Sequence, residues 1–323
     1  MYDIITIGAA TRDVFLVSDQ FMAIKSKKFA TGMGECVALG SKIEIQEMVL
    51  TTGGGATNAA ATFGSLGFRT ATITRIGDDS IGKDVIEDIS RFGVSTHLVR
   101  LIKKGETAYS TLLTMKDGER TVLVYRGTSA NFTIKDIPVS AIATTKWIYL
   151  TSLGGNLAVA KKIITTAHKA GVKIVWNPGS AELKGEASIL SQILPMIDVL
   201  FLNFEEAQLL TRKKKLTDIF KQLHTDGAVR VVTDGMHGAT VYRDGWMAHA
   251  GTTGAKAISR TGAGDAFGSG FIAGLIKTDD LKTALQVATL NAESVIQKHG
   301  AKNGLLRSWP SSIKRLQIKV TIL

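Results

Sequence analysis

Short apolar, β-branched runs recur along the chain at Ile4–Ile7, Thr70–Ile73, 147–150, 173–175, 199–202 and 230–233. Stretches with helical spacing of apolar positions lie between them, at 58–66, 83–92, 157–170 and 205–210. This alternation predicts an α/β fold of βαβ units, with a mostly parallel central sheet flanked by helices on both faces. Two regions, about 13–50 and 97–127, break the rhythm. They hold strand-like pieces such as 109–115 and 121–125 but little helix, and Lys116-Asp117-Gly118-Glu119 reads as a hairpin turn. These regions predict a small antiparallel sheet that projects from the main body. It would form a lid over the strand ends, where ligands bind in open α/β sheets.

Composition narrows the class. The 323 residues include 45% apolar and 21% charged residues and 4 prolines, with no long polar tract. That favours a globular enzyme, expected as a single domain over 1–323, and not a disordered or fibrous chain. The start, Met1-Tyr2-Asp3, runs straight into Ile4–Ile7 without the pattern of a secretory signal, and no apolar segment is long enough to span a bilayer. A lone cysteine, Cys36, excludes an internal disulfide and fits a reducing cytoplasm. The formal charge of +11 raises nucleic acid as a partner. The clusters Lys25-Ser26-Lys27-Lys28 and Arg212-Lys213-Lys214-Lys215 are short, however, and lack interleaved aromatics. They read as solvated faces, so neither nucleic acid nor membrane is expected as a partner.

Two glycine-rich segments carry the candidate chemistry. Thr261-Gly262-Ala263-Gly264-Asp265 leads into a small-residue helix, Ala266 to Ile276. Free amides at a helix start hold anions, and a carboxylate beside them can take a proton from an attacking hydroxyl. Close packing of a glycine-bearing helix on a sheet explains the same residues. Gly53-Gly54-Gly55-Ala56-Thr57-Asn58 is a turn into a second small-residue helix, where Asn58 could bind hydroxyls or cap the helix. Two near-matches fail. Gly77 to Lys83 has P-loop spacing, but Asp84 replaces the metal-binding hydroxyl. Gly262 to Phe267 begins like a dinucleotide fingerprint and then meets bulky Phe267.

Taken together, the segments resemble the PfkB family of carbohydrate kinases, with its ribokinase-like fold. Gly54, Gly55 and Asn58 are similar to the first family signature, and Thr261 to Phe267 to the second. Asn203-Phe204-Glu205-Glu206 resembles the N-x-x-E motif, and Thr233 to Ala239 the nucleotide loop. The resemblance implies an ATP- and Mg²⁺-dependent phosphotransferase acting on a hydroxyl of a sugar or sugar-like acceptor. In that scheme Asp265 is the general base, and Gly262, Ala263 and Gly264 form the anion hole. Glu206 organises Mg²⁺ through water, and Asn203, Thr233, Gly235, Gly238 and Asn291 surround the nucleotide. Asp13, Gly54, Gly55 and Asn58 bind the acceptor, and Arg126, with Arg12 and Lys42 nearby in the lid, suits an anionic group on it.

Departures limit the match. Ser259 stands where an acid usually helps to hold a monovalent cation, which argues against potassium activation. Near Leu150-Thr151-Ser152 a sugar-binding glutamate of ribokinase is missing. A nucleoside kinase and a non-catalytic sugar- or nucleotide-binding protein stay open as alternatives. Exposed lid strands could also pair two copies into a homodimer.

Overall fold

The computed structural model describes residues 1–29, 31–115 and 119–323. Its main sheet has nine strands. Six are parallel, in the spatial order Val229–Thr233, Val199–Asn203, Lys173–Trp176, Trp147–Leu150, Ile4–Ile7 and Thr70–Ile73. Each matches an apolar run expected from the sequence to within a residue. Three antiparallel strands, Ala239–Arg243, Trp246–Ala250 and Val320–Ile322, extend the Val229 edge. The mean pattern of alternation does not reveal these three, since hairpin-like connections replace the helices there.

The parallel strands read as continuous apolar runs because both faces are covered. Ile5, Ile7, Leu150, Trp176 and Leu202 pack with the Leu157–Lys169 helix on one face. Ile4, Tyr149, Val175 and Phe201 pack on the other face with Phe271 and Ala288, from the Ala263–Thr278 and Leu281–Ile296 helices. Successive side chains of one strand thus serve opposite layers of the core.

The irregular regions build a separate four-stranded sheet, ordered Arg120–Tyr125, Ala108–Thr114, Thr11–Val17, Glu47–Gly53. Its outer strands expose Met48, Leu50, Leu123 and Val124. The turn expected at Lys116 to Glu119 falls on residues 116–118, outside the described residues. A short hairpin of Met22–Lys25 with Met33–Cys36 adds to this region.

The Ala263–Thr278 helix is buried continuously from Ala266 to Leu275. Its glycines are contact points: a Cβ on Gly268 would lie 2.2 Å from Tyr149 Oη, and one on Gly274 would lie 2.6 Å from Ala284 Cα. The helix therefore sits against the sheet and the neighbouring helix at backbone distance. Gly274→Ala should lower stability by about 1–3 kcal/mol through overpacking, seen as a fall of several degrees in Tm. An unchanged midpoint would mean the two helices re-space freely.

Candidate active site

Parallel strands leave their carboxyl ends on one side of the sheet, and the connections that follow line a common crevice. Here Ala9 follows the first strand, Thr151 and Ser152 follow Leu150, Asn177 and Pro178 follow Trp176, and Asn203 and Thr233 end their own strands. All of them line one cavity of about 390 Å³, closed on other sides by Gly55, Arg126, Gly154, Glu206, Gly262, Gly264 and Asp265.

The start of the Ala263–Thr278 helix forms one wall. Gly262, its N-cap, has φ of 81°, and a Cβ there would lie 2.6 Å from Ala301 Cα. Only glycine adopts this turn without strain at that distance. Gly262 and Gly264 line the cavity at this helix start, and the Ala263 amide donates to the Arg260 carbonyl at 3.3 Å. Asp265 stands in the same turn. Burial raises its pKa, opposed by a hydrogen bond from Asn58 and by the charge of Lys302. Asn58 Nδ2 donates to Asp265 Oδ2 at 2.8 Å, joining two segments 207 residues apart. Its Oδ1 is buried without a partner, as an acceptor awaiting a hydroxyl would be.

Asp13 is 5% exposed in the lid strand Thr11–Val17, and burial lifts its pKa to about 6. The glycine turn lies over it. At Gly54, with φ of 97°, a Cβ would fall 2.4 Å from the carbonyl oxygen of Ala9. Across the cavity, Asn203 and Glu206 make a reciprocal capping box for the Phe204–Thr211 helix. Asn203 Oδ1 accepts from the Glu206 amide at 2.7 Å, and Glu206 Oε2 accepts from the Asn203 amide at 3.0 Å. Burial raises the pKa of Glu206, partly offset by that amide.

The pfkB family carbohydrate kinase model matches residues 3–308. The chain belongs to this family. The kinase is 32% identical over 254 residues to an "ATP-dependent ribose-1-phosphate kinase" of Halopiger xanaduensis, covering 78% of this chain and 82% of that one. It is 26% identical to a ribokinase of Haemophilus influenzae, over 82% and 88% of the two chains. Among solved structures, Arabidopsis thaliana ribokinase complexed with ribose and ATP aligns with a TM-score of 0.75 at 19% identity, covering 98% of each chain. The adenosine kinase of Sinorhizobium meliloti aligns at 0.76 with 24% identity, over 93% and 95%. These likenesses carry the ribokinase-like fold. Family and relatives make the protein an ATP-dependent carbohydrate kinase, a phosphotransferase to an alcohol group.

Not every residue expected at the kinase site reaches the cavity. Gly235 and Gly238 form the turn beyond Thr233 and stand off its wall. Ala263 and Gly54 shape turns whose neighbours line it. Asn291 is fully buried: its amide donates to the Ala266 carbonyl at 2.8 Å and to Thr62 Oγ1, and its oxygen accepts from the Leu306 amide. It therefore ties the Ala263–Thr278 helix to its neighbours and has no free group for a nucleotide. Arg12 is ion-paired with Asp84, which leaves Arg126 as the lid guanidinium on the cavity wall, while Lys42 lies in an exposed loop. The P-loop-like segment is filled by its own chain. Asp79 caps the Ser80–Ser90 helix by accepting from Gly82, and also accepts from the Thr107 amide.

Glu182 and Lys302 carry no sequence signal and emerge only here. Glu182, wholly buried, accepts from the Ser152 hydroxyl and from the amides of Leu153, Gly155 and Gly179. A carboxylate thus sits beside Ser152 after all, supplied from the Ser180–Leu183 helix, and it braces the loop that lines the cavity. Glu182→Gln replaces an acceptor with a buried donor that faces other donors. It should lower stability by about 1–3 kcal/mol, read as a shift in the urea midpoint. A midpoint equal to wild type would mean the loop is held by other contacts.

Proposed function

We propose that this kinase transfers the γ-phosphoryl group of ATP to a hydroxyl of a sugar acceptor that also bears an anionic group. The observation that carries this reading is the carboxylate of Asp265, held by Asn58 in the first turn of the helix whose start, at Gly262 and Gly264, lines the cavity. Asp265 accepts the proton of the acceptor hydroxyl as the oxygen attacks the γ-phosphorus. The bond to the β,γ-bridging oxygen breaks, and ADP leaves. The first-turn amides of Gly262, Ala263 and Gly264 stabilise the negative charge on the transferring group, in a transition state that needs positioning more than covalent chemistry. Burial that lifts Asp265 above the ordinary carboxylate range also makes it a better base near neutral pH.

Glu206 is the residue suited to Mg²⁺. It is a hard oxygen donor on the cavity wall, with one carboxylate oxygen tied to the Asn203 amide. When bound, the ion neutralises charge on the nucleotide phosphates. Asn203 and Thr233 face the same part of the cavity, with Gly235 and Gly238 shaping the turn behind them toward the nucleotide. On the acceptor side, Asp13 and Asn58 bind hydroxyls and Gly54-Gly55 leave room for the sugar ring. Water would compete for the phosphoryl group, and the small sheet is placed to act as a lid that excludes it.

Arg126 supports the anionic acceptor. Its guanidinium faces the cavity near Gly154, where it can bind phosphate or carboxylate in a bidentate fashion. The Halopiger xanaduensis relative, named for ribose 1-phosphate, agrees with such an acceptor. The exposed apolar outer strands of the lid fit a second copy of the chain, and the single Cys36 fits a cytoplasmic location.

An ATP-consumption screen over ribose, ribose 1-phosphate, fructose, ketodeoxygluconate and nucleosides should give the highest kcat/KM with an anionic sugar. Preference for a neutral nucleoside would replace this reading. Asp265→Asn should reduce kcat by roughly 10²-fold or more with folding intact, the usual scale of a general base. Near-normal turnover would remove Asp265 from that role. Arg126→Ala should raise KM for the anionic acceptor while ATP affinity holds; an equal loss with neutral sugars would refute its part.

A further inference from the structure

Lys302 is 3% exposed, and a buried ammonium is unfavourable unless it is paired and hydrogen-bonded. Its Nζ lies 2.9 Å from Asp88 Oδ2 and donates to the hydroxyls of Thr52 and, at 3.4 Å, Thr57. Thr52 in turn donates to Asp88, closing a ring of lid strand, Ser80–Ser90 helix and C-terminal loop. The two threonines bracket the glycine turn. Thr52 precedes Gly53, whose missing Cβ would lie 2.0 Å from Asp13 Oδ2. Thr57 donates to the Gly53 carbonyl at 2.6 Å and precedes Asn58, the partner of Asp265. Lys302 also follows Ala301, which packs against the Gly262 turn.

A methionine or leucine would fill this space without desolvating a charge, so packing alone does not account for a lysine. We propose that Lys302 is a positioning residue for phosphoryl transfer: its ammonium braces the turn that sets Asp13 and Asn58, and it is the shared counter-charge of Asp13 and Asp265. The inference rests on the reading that Asp265 takes the proton. The charged and titratable groups facing these carboxylates are Lys302, Arg12 beside Asp13, the two carboxylates on each other, and the buried Tyr149 hydroxyl near Asp265. Asp88, Asp13 and Asp265 act on Lys302, against a burial that lowers its pKa. Arg12 is already committed to Asp84. Removing the ammonium therefore raises the pKa of both site carboxylates, and the ionised base appears only at higher pH.

The test is the pH dependence of kcat/KM at saturating Mg-ATP, using whichever of ribose, fructose and ribose 1-phosphate is turned over fastest. For Lys302→Met the acidic limb should move up by about one pH unit, a loss of roughly tenfold on the acid side of both limbs that disappears at alkaline pH, and Lys302→Arg should keep the wild-type limb. An unmoved limb, with activity unchanged or lost equally at every pH, overturns the proposal. If Lys302→Met does not fold, Asp88→Asn takes its place. With one competing carboxylate neutralised, the limb should move down, and an unmoved or raised limb overturns the proposal. A normal Asp265→Asn enzyme would instead remove the base reading on which this one stands, whereas a wild-type limb unmoved in Lys302→Met removes only the role of Lys302.

Discussion

The close approach of the Gly262 turn to Ala301 is the constraint from which the rest of the site follows. It places the positive end of a long helix at the carboxyl edge of the sheet, with Gly262 and Gly264 lining a cavity. A buried carboxylate in that turn is tolerable because the helix end and one amide donor, Asn58, stabilise it. Larger side chains along the same helix would lift it from Tyr149 and Ala284 and carry Asp265 away from Asn58. Packing and chemistry are therefore two results of one arrangement of small residues.

The same economy recurs across the cavity. Asn203 and Glu206 cap a helix by reciprocal hydrogen bonds, and the capping leaves the Glu206 carboxylate on the cavity wall. The capping box accounts for that spacing, and it sets both residues at a strand end that lines the cavity. Asn291 shows the opposite outcome. It faces inward, and its amide joins the Ala266 carbonyl of the helix that bears Asp265 to Thr62 and to the Leu306 amide.

The small sheet joins this floor through a polar cluster as well as through buried Phe15, which packs on the ring of His299. Thr52, Asp88 and Lys302 lie where the strand Glu47–Gly53 leaves the small sheet and enters the glycine turn. A link of that kind ties the Glu47–Gly53 strand to the Ser80–Ser90 helix and the C-terminal loop by directional bonds. Arg126 follows the Arg120–Tyr125 strand, at the opposite edge of the same sheet, and lines the cavity from there.

Local order was legible in the sequence. Ile4–Ile7 and its parallel companions are buried on both faces, which forces continuous apolar runs, and Gly262 and Gly54 occupy turns that other residues strain to adopt. Motif spacing likewise marked Asn203 and Glu206, because a helix start needs its cap at a set distance, while likeness to the two glycine-rich family signatures marked Asp265 and Asn58. What the tertiary structure alone decided was which side chains meet. Nothing local indicates that Lys302 reaches Thr52 across 250 positions, that Glu182 supplies Ser152 with a carboxylate, or that Arg12 is taken by Asp84 while Arg126 is left facing the cavity. Those pairings follow from chain segments brought together at the sheet edge, where charge and burial are set by neighbours in space and leave no period in the sequence.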